Sequence, residues 1–338
     1  MYDNDNSHLC RTMLDNTGIQ SILNKPGITE VAINQPGRVW FDCGNDWEFI
    51  DNPDCSLENL TYLANSLAVY SNLGRPLDFN NPIASVVLPD GERGQIIMAP
   101  AAENKTVSIT IRKPSMQRFT LDDYVNTGRL SGSKEASGSL FDLTDVQKQL
   151  ITLKKNDEMG NFFKLAIKER LNILIVGGTG SGKTTVMKSM ADLYPRNRRI
   201  FTVEDVHELD LPNHPNHLHL FYKSGGVSPK TIIESCMRMK PDHVFLAELR
   251  GDETWNYLEM LNTGHAGSLT TIHANDCYSA FSRMASLVKQ SEVGQTLDYE
   301  FIMKTVKSSI DIICFFDHTF MKEIYFNPEE KNNILSGV

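Results

Sequence analysis

The chain has 338 residues, of which 41% are hydrophobic and 22% are charged, and its formal net charge at pH 7 is −9. This composition is typical of a globular protein of about two domains, and it excludes the disordered and collagen-like classes. The acidic balance makes direct nucleic-acid binding an unfavoured function, because such binding rests on many contacts between Lys or Arg and phosphate.

The start of the chain, Met-Tyr-Asp-Asn-Asp-Asn, is acidic and no apolar run follows it, so we expect no signal peptide. No stretch approaches the roughly 18 consecutive apolar residues of a membrane helix. The six cysteines are scattered without a CxxC pair, which disfavours a disulfide framework or a zinc site and favours reduced thiols. We therefore expect a soluble, cytoplasmic protein.

The first part of the chain carries hairpin and helix signals. Strand patterns occur at 28–33, 38–41, 84–88, 95–98 and 107–112, and apolar residues recur at helical spacing over 57–73. Turn residues, Pro-Gly and Pro-Asp-Gly, separate the first two strands and the next two. Hairpins combined with a helix predict a smaller α+β domain over residues 1–130.

A segment without large apolar residues follows, Ser-Gly-Ser-Lys-Glu-Ala-Ser-Gly-Ser at 131–139, and it predicts a flexible linker over 131–145. The pattern then changes. Strand signals at 173–176, 199–203, 217–222, 243–247 and 268–272 alternate with helix signals at 183–193, from 229 onwards and at 252–261. This alternation predicts an α/β domain with a doubly wound, mostly parallel sheet over residues 146–338.

Residues 177–184, Gly-Gly-Thr-Gly-Ser-Gly-Lys-Thr, form a complete GxxxxGK[ST] motif between a predicted strand and a predicted helix. Glycines let backbone N–H groups converge on phosphate oxygens at the start of the helix. We expect Lys183, in a solvent-facing loop, to reach the β- and γ-phosphates of ATP, and the Thr184 hydroxyl to ligate Mg²⁺. The predicted nucleotide-binding residues of this segment are Gly177, Gly178, Thr179, Gly180, Ser181, Gly182, Lys183, Thr184 and Thr185.

Carboxylates end two further predicted strands, where ligands bind in such sheets. Glu204 and Asp205 end one strand, with Glu208 close behind, and Glu248 ends the other. Either strand end is a candidate for the magnesium ligand or for the base that activates water.

Histidines stand at two places. His265 and His273 bracket the last predicted strand, and a histidine can hydrogen-bond a γ-phosphate. His214, His217 and His219 resemble a metal cluster by their number, but no second ligand group is nearby in the sequence. We interpret these three as parts of a polar loop and a strand.

Four motifs occur in the order of the secretion ATPase superfamily, namely the phosphate loop, the acidic stretch at 203–208, and the segments at 240–251 and 263–274. Residues 33–40, 88–93 and 108–112 resemble the N-terminal domain of type IV secretion traffic ATPases. The resemblance implies a RecA-like P-loop NTPase domain with a parallel-rich sheet, preceded by the smaller α+β domain. It also implies a hexameric ring at the cytoplasmic face of the inner membrane.

The resemblance further implies roles for single residues. The implied roles are Glu204 as the water-activating base, Glu248 as a support for Mg²⁺ or the attacking water, His265 and His273 as γ-phosphate sensors, Arg112 as a nucleotide clamp, and Arg238 or Arg250 as charge stabilisers, with Arg238 favoured for reaching a neighbour's site. The sequence leaves open which acid has which role. Arginine suits such positions because its planar fork pairs with phosphate oxygens.

The implied function is ATP hydrolysis coupled to substrate export or pilus assembly, with inner-membrane channel proteins and a coupling protein as partners and peripheral association with the membrane. A nucleotide-gated docking scaffold with little turnover and a pilus-retraction ATPase are alternatives. A helicase is a third alternative, which the net charge disfavours. The linker also leaves open a domain swap between neighbouring subunits.

Overall fold

The structure is a computed structural model that describes residues 7–44, 46–114, 118–133 and 142–336. The acidic start at 1–6 and residues 134–141 of the predicted linker lie outside the described residues. The predicted domain boundaries at 130 and 145 therefore stay predictions.

The first part of the chain forms an antiparallel sheet with helices. Its elements are α1 (Ser7–Asn16), α2 (Ile19–Leu23), β1 (Glu30–Ile33), β2 (Arg38–Asp42), β3 (Trp47–Asp51), α3 (Leu57–Tyr70), β4 (Ile83–Val87), β5 (Arg93–Met98) and β6 (Val107–Arg112). The six described strands follow the order β3-β2-β1-β6-β5-β4. Both predicted hairpins are present, β1–β2 and β4–β5, and α3 corresponds to the predicted helix. The strand signal missed β3, where Trp47 and Phe49 stand on an exposed edge strand.

The remaining elements follow the antiparallel sheet in the chain, and from α5 onwards they form the α/β part. They are α4 (Leu121–Asn126), α5 (Asp145–Lys155), α6 (Met159–Lys168), β7 (Ile173–Gly177), α7 (Lys183–Ala191), β8 (Ile200–Glu204), β9 (His217–Phe221), α8 (Pro229–Cys236), β10 (His243–Leu246), α9 (Glu253–Asn262), β11 (Leu269–Ile272), α10 (Cys277–Val288), α11 (Glu292–Thr296), α12 (Tyr299–Ser309), β12 (Ile312–Asp317), β13 (Phe320–Tyr325) and α13 (Pro328–Ser336). The seven described strands follow the order β13-β12-β7-β11-β10-β8-β9. All neighbours are parallel except β12 and β13, so the predicted parallel-rich sheet is confirmed.

Strand β7 shows why a central strand of this sheet consists of consecutive apolar residues. Successive side chains of a strand point to opposite faces. Ile173 and Ile175 pack in the core with residues of α5, α6 and α7, whereas Leu174 and Val176 pack in the core with residues of α8, α9, α10 and α12. Both faces are covered, so no position of the strand can be polar without a partner.

The two sheets contact each other beside β8, β9 and α8. The contact has a polar part, with side-chain pairs between Asn34 and Asn216, Asp42 and Lys240, Gln95 and Ser235, and Thr110 and Arg199. It also has an apolar part, in which Ile97, Ala101 and Ala102 join the core of the parallel sheet. The antiparallel sheet therefore lies at the β9 edge, four strand positions from β7. In the described part of the chain, every helix is too short or too polar to cross a membrane.

Candidate nucleotide-binding site

The turn between β7 and α7 is shaped by its glycines. Gly180 and Gly182 have φ angles of 73° and 83°, which favour glycine. A Cβ atom on Gly177 would lie 2.4 Å from both the carbonyl oxygen of Phe316 and Oγ of Ser181. The turn thus places the N-terminus of α7, with its unpaired backbone N–H groups, at the carboxyl edge of the sheet.

Lys183 is the first residue of α7 and is only 9% exposed, so the expectation of a solvent-facing loop is wrong. Its Nζ donates hydrogen bonds to the carbonyl oxygens of Gly177 and Gly178, at 2.9 and 2.8 Å. Burial lowers the pKa of its ammonium group, and the nearby carboxylate of Glu248 opposes that change. The loop carbonyls therefore hold a cation at the floor of the cleft.

Glu248 follows β10 and lies in the same cleft. Its Oε2 accepts a hydrogen bond from Nη2 of Arg250 at 2.8 Å, and its Oε1 lies 3.1 Å from Nε2 of His273. Arg250 also pairs with Asp205, and the hydrogen bond with Glu248 is the main cause that raises the pKa of the guanidinium group. The two partners fix the carboxylate of Glu248 toward the phosphate loop.

The cleft has a volume of about 600 Å³, within the range of small-ligand sites. Residues of five chain segments line it. The lining residues are Thr179, Gly180, Ser181, Gly182, Lys183, Thr184, Thr185, Asp205, Val206, Glu208, Ala247, Glu248, Arg250, Thr271, His273 and Thr319. Thus the structure brings together most of the predicted phosphate loop, one predicted acid and one predicted histidine.

Glu204 is not brought to the cleft. Its side chain is fully buried, and its Oε1 accepts hydrogen bonds from the backbone N–H groups of Glu208 and Leu209, both at 2.9 Å. Its Oε2 accepts a third from the Thr202 hydroxyl. Burial raises the pKa of the Glu204 carboxyl, against these hydrogen bonds. Asp205 and Glu208 of the same acidic run face the cleft instead.

His265 also lies away from the cleft. It belongs to the loop that precedes β11, and β11 is parallel to β7. The loop before one strand and the loop after its parallel neighbour lie at opposite edges of a sheet. Arg170, which precedes β7, accordingly donates to the carbonyl oxygens of Gly264 and Ala266.

Arg112 and Arg238 line a different cavity, of about 300 Å³, together with Arg93 and Met237. The Nε of Arg112 lies 3.3 Å from Oε1 of Glu30. Within one chain, therefore, neither arginine lines the phosphate cleft.

Thr271 and Thr319 are cleft residues that the sequence analysis missed. Thr319 comes from the turn between β12 and β13, and its side chain lies close to Gly182. No sequence motif marks this turn. Asp205 and Glu208 belong to the acidic run that the sequence marks as a candidate, but the family resemblance implies a role for Glu204 of that run.

The residues present fit a nucleotide with Mg²⁺. The Thr184 hydroxyl and the Glu248 carboxylate are hard oxygen donors, which Mg²⁺ prefers. Oγ of Ser181 is buried without a hydrogen-bond partner, and the space beside Gly178 and Gly180 is open. These are features of a cradle for an anionic group.

Comparison with known proteins places this geometry in a family. Residues 136–315 match the model of the family described as Type II/IV secretion system protein. The chain belongs to this family. It is 37% identical to the type IV secretion system protein VirB11 of Brucella abortus over 323 residues, which cover 91% of this chain and 88% of that protein. The VirB11 protein of Bartonella quintana is also 37% identical, over 336 residues and 94% of both chains.

A solved structure agrees. The crystal structure of the VirB11 ATPase from the Brucella suis type IV secretion system, in complex with sulphate, superposes with a TM-score of 0.92 at 36% identity and 98% coverage of both chains. The resemblance to the secretion ATPases is confirmed, and so is the fold, a RecA-like ATPase domain after an N-terminal α+β domain.

Proposed function

We propose that this chain is an ATP-hydrolysing motor of a type IV secretion system that couples hydrolysis to substrate export or pilus assembly. The observation that carries the proposal is the cleft in which most of the phosphate loop, including Lys183, meets Glu248 and His273. The family membership supports nucleotide binding by that cleft.

Each cleft residue has a part in the proposed reaction. The N-terminus of α7 and Lys183 bind the phosphates, and the Thr184 hydroxyl holds Mg²⁺. When bound, the ion neutralises charge that develops on the phosphate oxygens. Glu248 accepts the proton of the attacking water while Arg250 and His273 hold its carboxylate in place. Glu204 instead orders the loop that carries Asp205 and Glu208.

The proposed working form is a closed homo-oligomer, a hexamer by family resemblance, in which Arg112 and Arg238 act on a neighbour's nucleotide. Both arginines are exposed and line a cavity separate from the cleft of their own chain, which supports a role across a subunit boundary. The proposed partners are inner-membrane channel proteins and a coupling protein, with the motor in the cytoplasm and peripheral to the inner membrane.

The Lys183→Ala variant tests the proposal, with Lys188→Ala on the same helix as the matched control because Lys188 does not line the cleft. We expect Lys183→Ala to reduce phosphate release from ATP by about 10²-fold or more, the scale for losing one charge-stabilising donor. Equal turnover in the two variants contradicts the proposal. ATP binding without any turnover in the wild type favours the docking scaffold.

A further inference from the structure

We propose a second, transition-metal site, formed by Glu204, His207 and His219, that binds a divalent cation of the Zn²⁺ class. The site lies at the end of β8, in the loop after it and on β9, and it is separate from the Mg²⁺ ligands of the nucleotide cleft. Among the described residues these three offer ligand atoms that all lie within 4.8 Å of one another. The proposal does not depend on ATP hydrolysis.

The pairing of two strands brings the three proposed ligands together. β8 and β9 are parallel, and their register sets Thr202 beside His219 and Glu204 beside Phe221. The hydrogen bonds from Glu208 and Leu209 to Glu204 fold the loop back, so that the ring of His207 lies 4.4 Å from the ring of His219. The interpretation of His219 as part of a polar strand missed the cluster, because the other ligands come from the neighbouring strand and its loop.

A count of protons shows which nitrogen of His219 is available to a metal. Oγ of Thr202 lies 2.9 Å from Oε2 of Glu204 and 2.7 Å from Nδ1 of His219. The hydroxyl has one proton, and an ionised carboxylate only accepts, so Thr202 donates to Glu204 and His219 donates from Nδ1. The lone pair of His219 is then on Nε2, whereas its Nδ1 lies 3.9 Å from Oε2 of Glu204. A histidine oriented by an N–H···O bond on its other nitrogen is the usual arrangement of a metal ligand.

The surroundings favour a cation with nitrogen ligands. His207 is partly exposed, which provides an entry path, and its ring nitrogens lie 3.9 Å from Glu103 and 3.7 Å from Asp210. Two imidazoles and a carboxylate, with a further carboxylate or water, make a four-ligand set typical of zinc.

Occupation of this site has a mechanical consequence. Glu103 precedes β6 of the antiparallel sheet, whereas the three ligands belong to the α/β part. The loop held between Glu204 and His207 contains Asp205, which lines the nucleotide cleft. A bound cation therefore fixes the loop that carries Asp205, beside the antiparallel sheet.

The experiment uses the full chain, treated with a chelator and kept without nucleotide in excess Mg²⁺, so that sites preferring oxygen ligands are filled. Zn²⁺ is titrated calorimetrically, and Co²⁺ is followed by its visible absorption. We expect one ion per chain, tetrahedral cobalt bands, and a thermal midpoint that rises with zinc concentration. His207→Ala, a change in an exposed loop, should weaken zinc binding by about tenfold or more.

His318→Ala is the matched control, because His318 is an exposed histidine beside an acid, Asp317, on a different turn. It should bind zinc like the wild type. The proposal is overturned if zinc does not bind stoichiometrically, if cobalt shows only octahedral bands, or if His207→Ala binds zinc as tightly as the control. Equal losses in both variants indicate adventitious surface binding and overturn it as well.

Discussion

The Glu248→Gln variant separates catalysis from folding. The change removes the charge of the proposed base and keeps the size of the side chain. Loss of a general base typically slows a reaction by ~10²–10⁴-fold, which corresponds to about 3–5 kcal/mol of activation free energy. Glu248 pairs with Arg250 and His273 near the surface, and in the variant Arg250 keeps its ion pair with Asp205. We therefore expect the free energy of unfolding to change by no more than about 1 kcal/mol.

Three measurements check this expectation: phosphate release at saturating ATP and Mg²⁺, equilibrium binding of a fluorescent ATP analogue, and urea unfolding. Glu300→Gln is the matched control, because Glu300 is exposed on α12 and its one ion pair among the described residues is with Lys304. Nucleotide binding should persist in both variants. Turnover should fall only in Glu248→Gln.

A comparison with Glu204→Gln distinguishes the two acids. Because Glu204 is buried outside the cleft, we expect its loss of turnover to be at least about tenfold smaller than that of Glu248→Gln. The reasoning is refuted if Glu248→Gln keeps turnover within about threefold of the wild type while binding and stability are normal. A larger loss in Glu204→Gln, at unchanged stability, transfers the role of base to Glu204.

Three further predictions follow from other parts of the structure. When Arg238→Ala subunits are mixed with wild-type subunits, the activity should fall by more than the fraction of variant subunits, because an arginine acting across a subunit boundary contributes ~10³–10⁵-fold to rate. Light scattering and ATPase assays over a dilution series check this. A fully active monomer contradicts it. His243 is buried and its pKa is lowered to about 3, mainly by burial, so the unfolded chain binds the proton more readily. The neutral, buried imidazole contributes fully to the free energy of unfolding above pH ~6.5, and this contribution decreases by about 2 kcal/mol by pH 5. The His243→Gln variant should lack this part of the pH dependence when unfolding in urea is measured. Arg199 is wholly buried between Trp47 and Phe201. Arg199→Ala should lower the free energy of unfolding by about 3–5 kcal/mol, and Arg199→Met by less than half of that, because Met keeps the volume and removes a buried charge. Equal urea midpoints for the two variants disprove this.

The helices and strands named in the sequence analysis and the phosphate loop could be predicted from the sequence, because residues close together in the chain determine them. The glycines of 177–182 permit a turn that other residues cannot adopt, and Lys183 follows at a fixed spacing. The apolar run of β7 and the alternating pattern of β1 and β2 each report the burial of their own strand. The same local pattern could not show how deeply Lys183 is buried, since its surroundings come from other segments.

Tertiary structure alone decided which of the candidate side chains meet. Local patterns do not determine strand order. The sequence therefore could not show that Asp205, which follows β8, lines the nucleotide cleft, whereas Glu204, the last residue of β8, does not. His273 follows β11 and reaches the carboxyl edge of the sheet, whereas His265 precedes the same strand and lies at the opposite edge. The pairing of β8 with β9 likewise brings His219 to Glu204 across fifteen residues of chain, because contacts between neighbouring strands depend on where the chain returns and not on its spacing along the sequence.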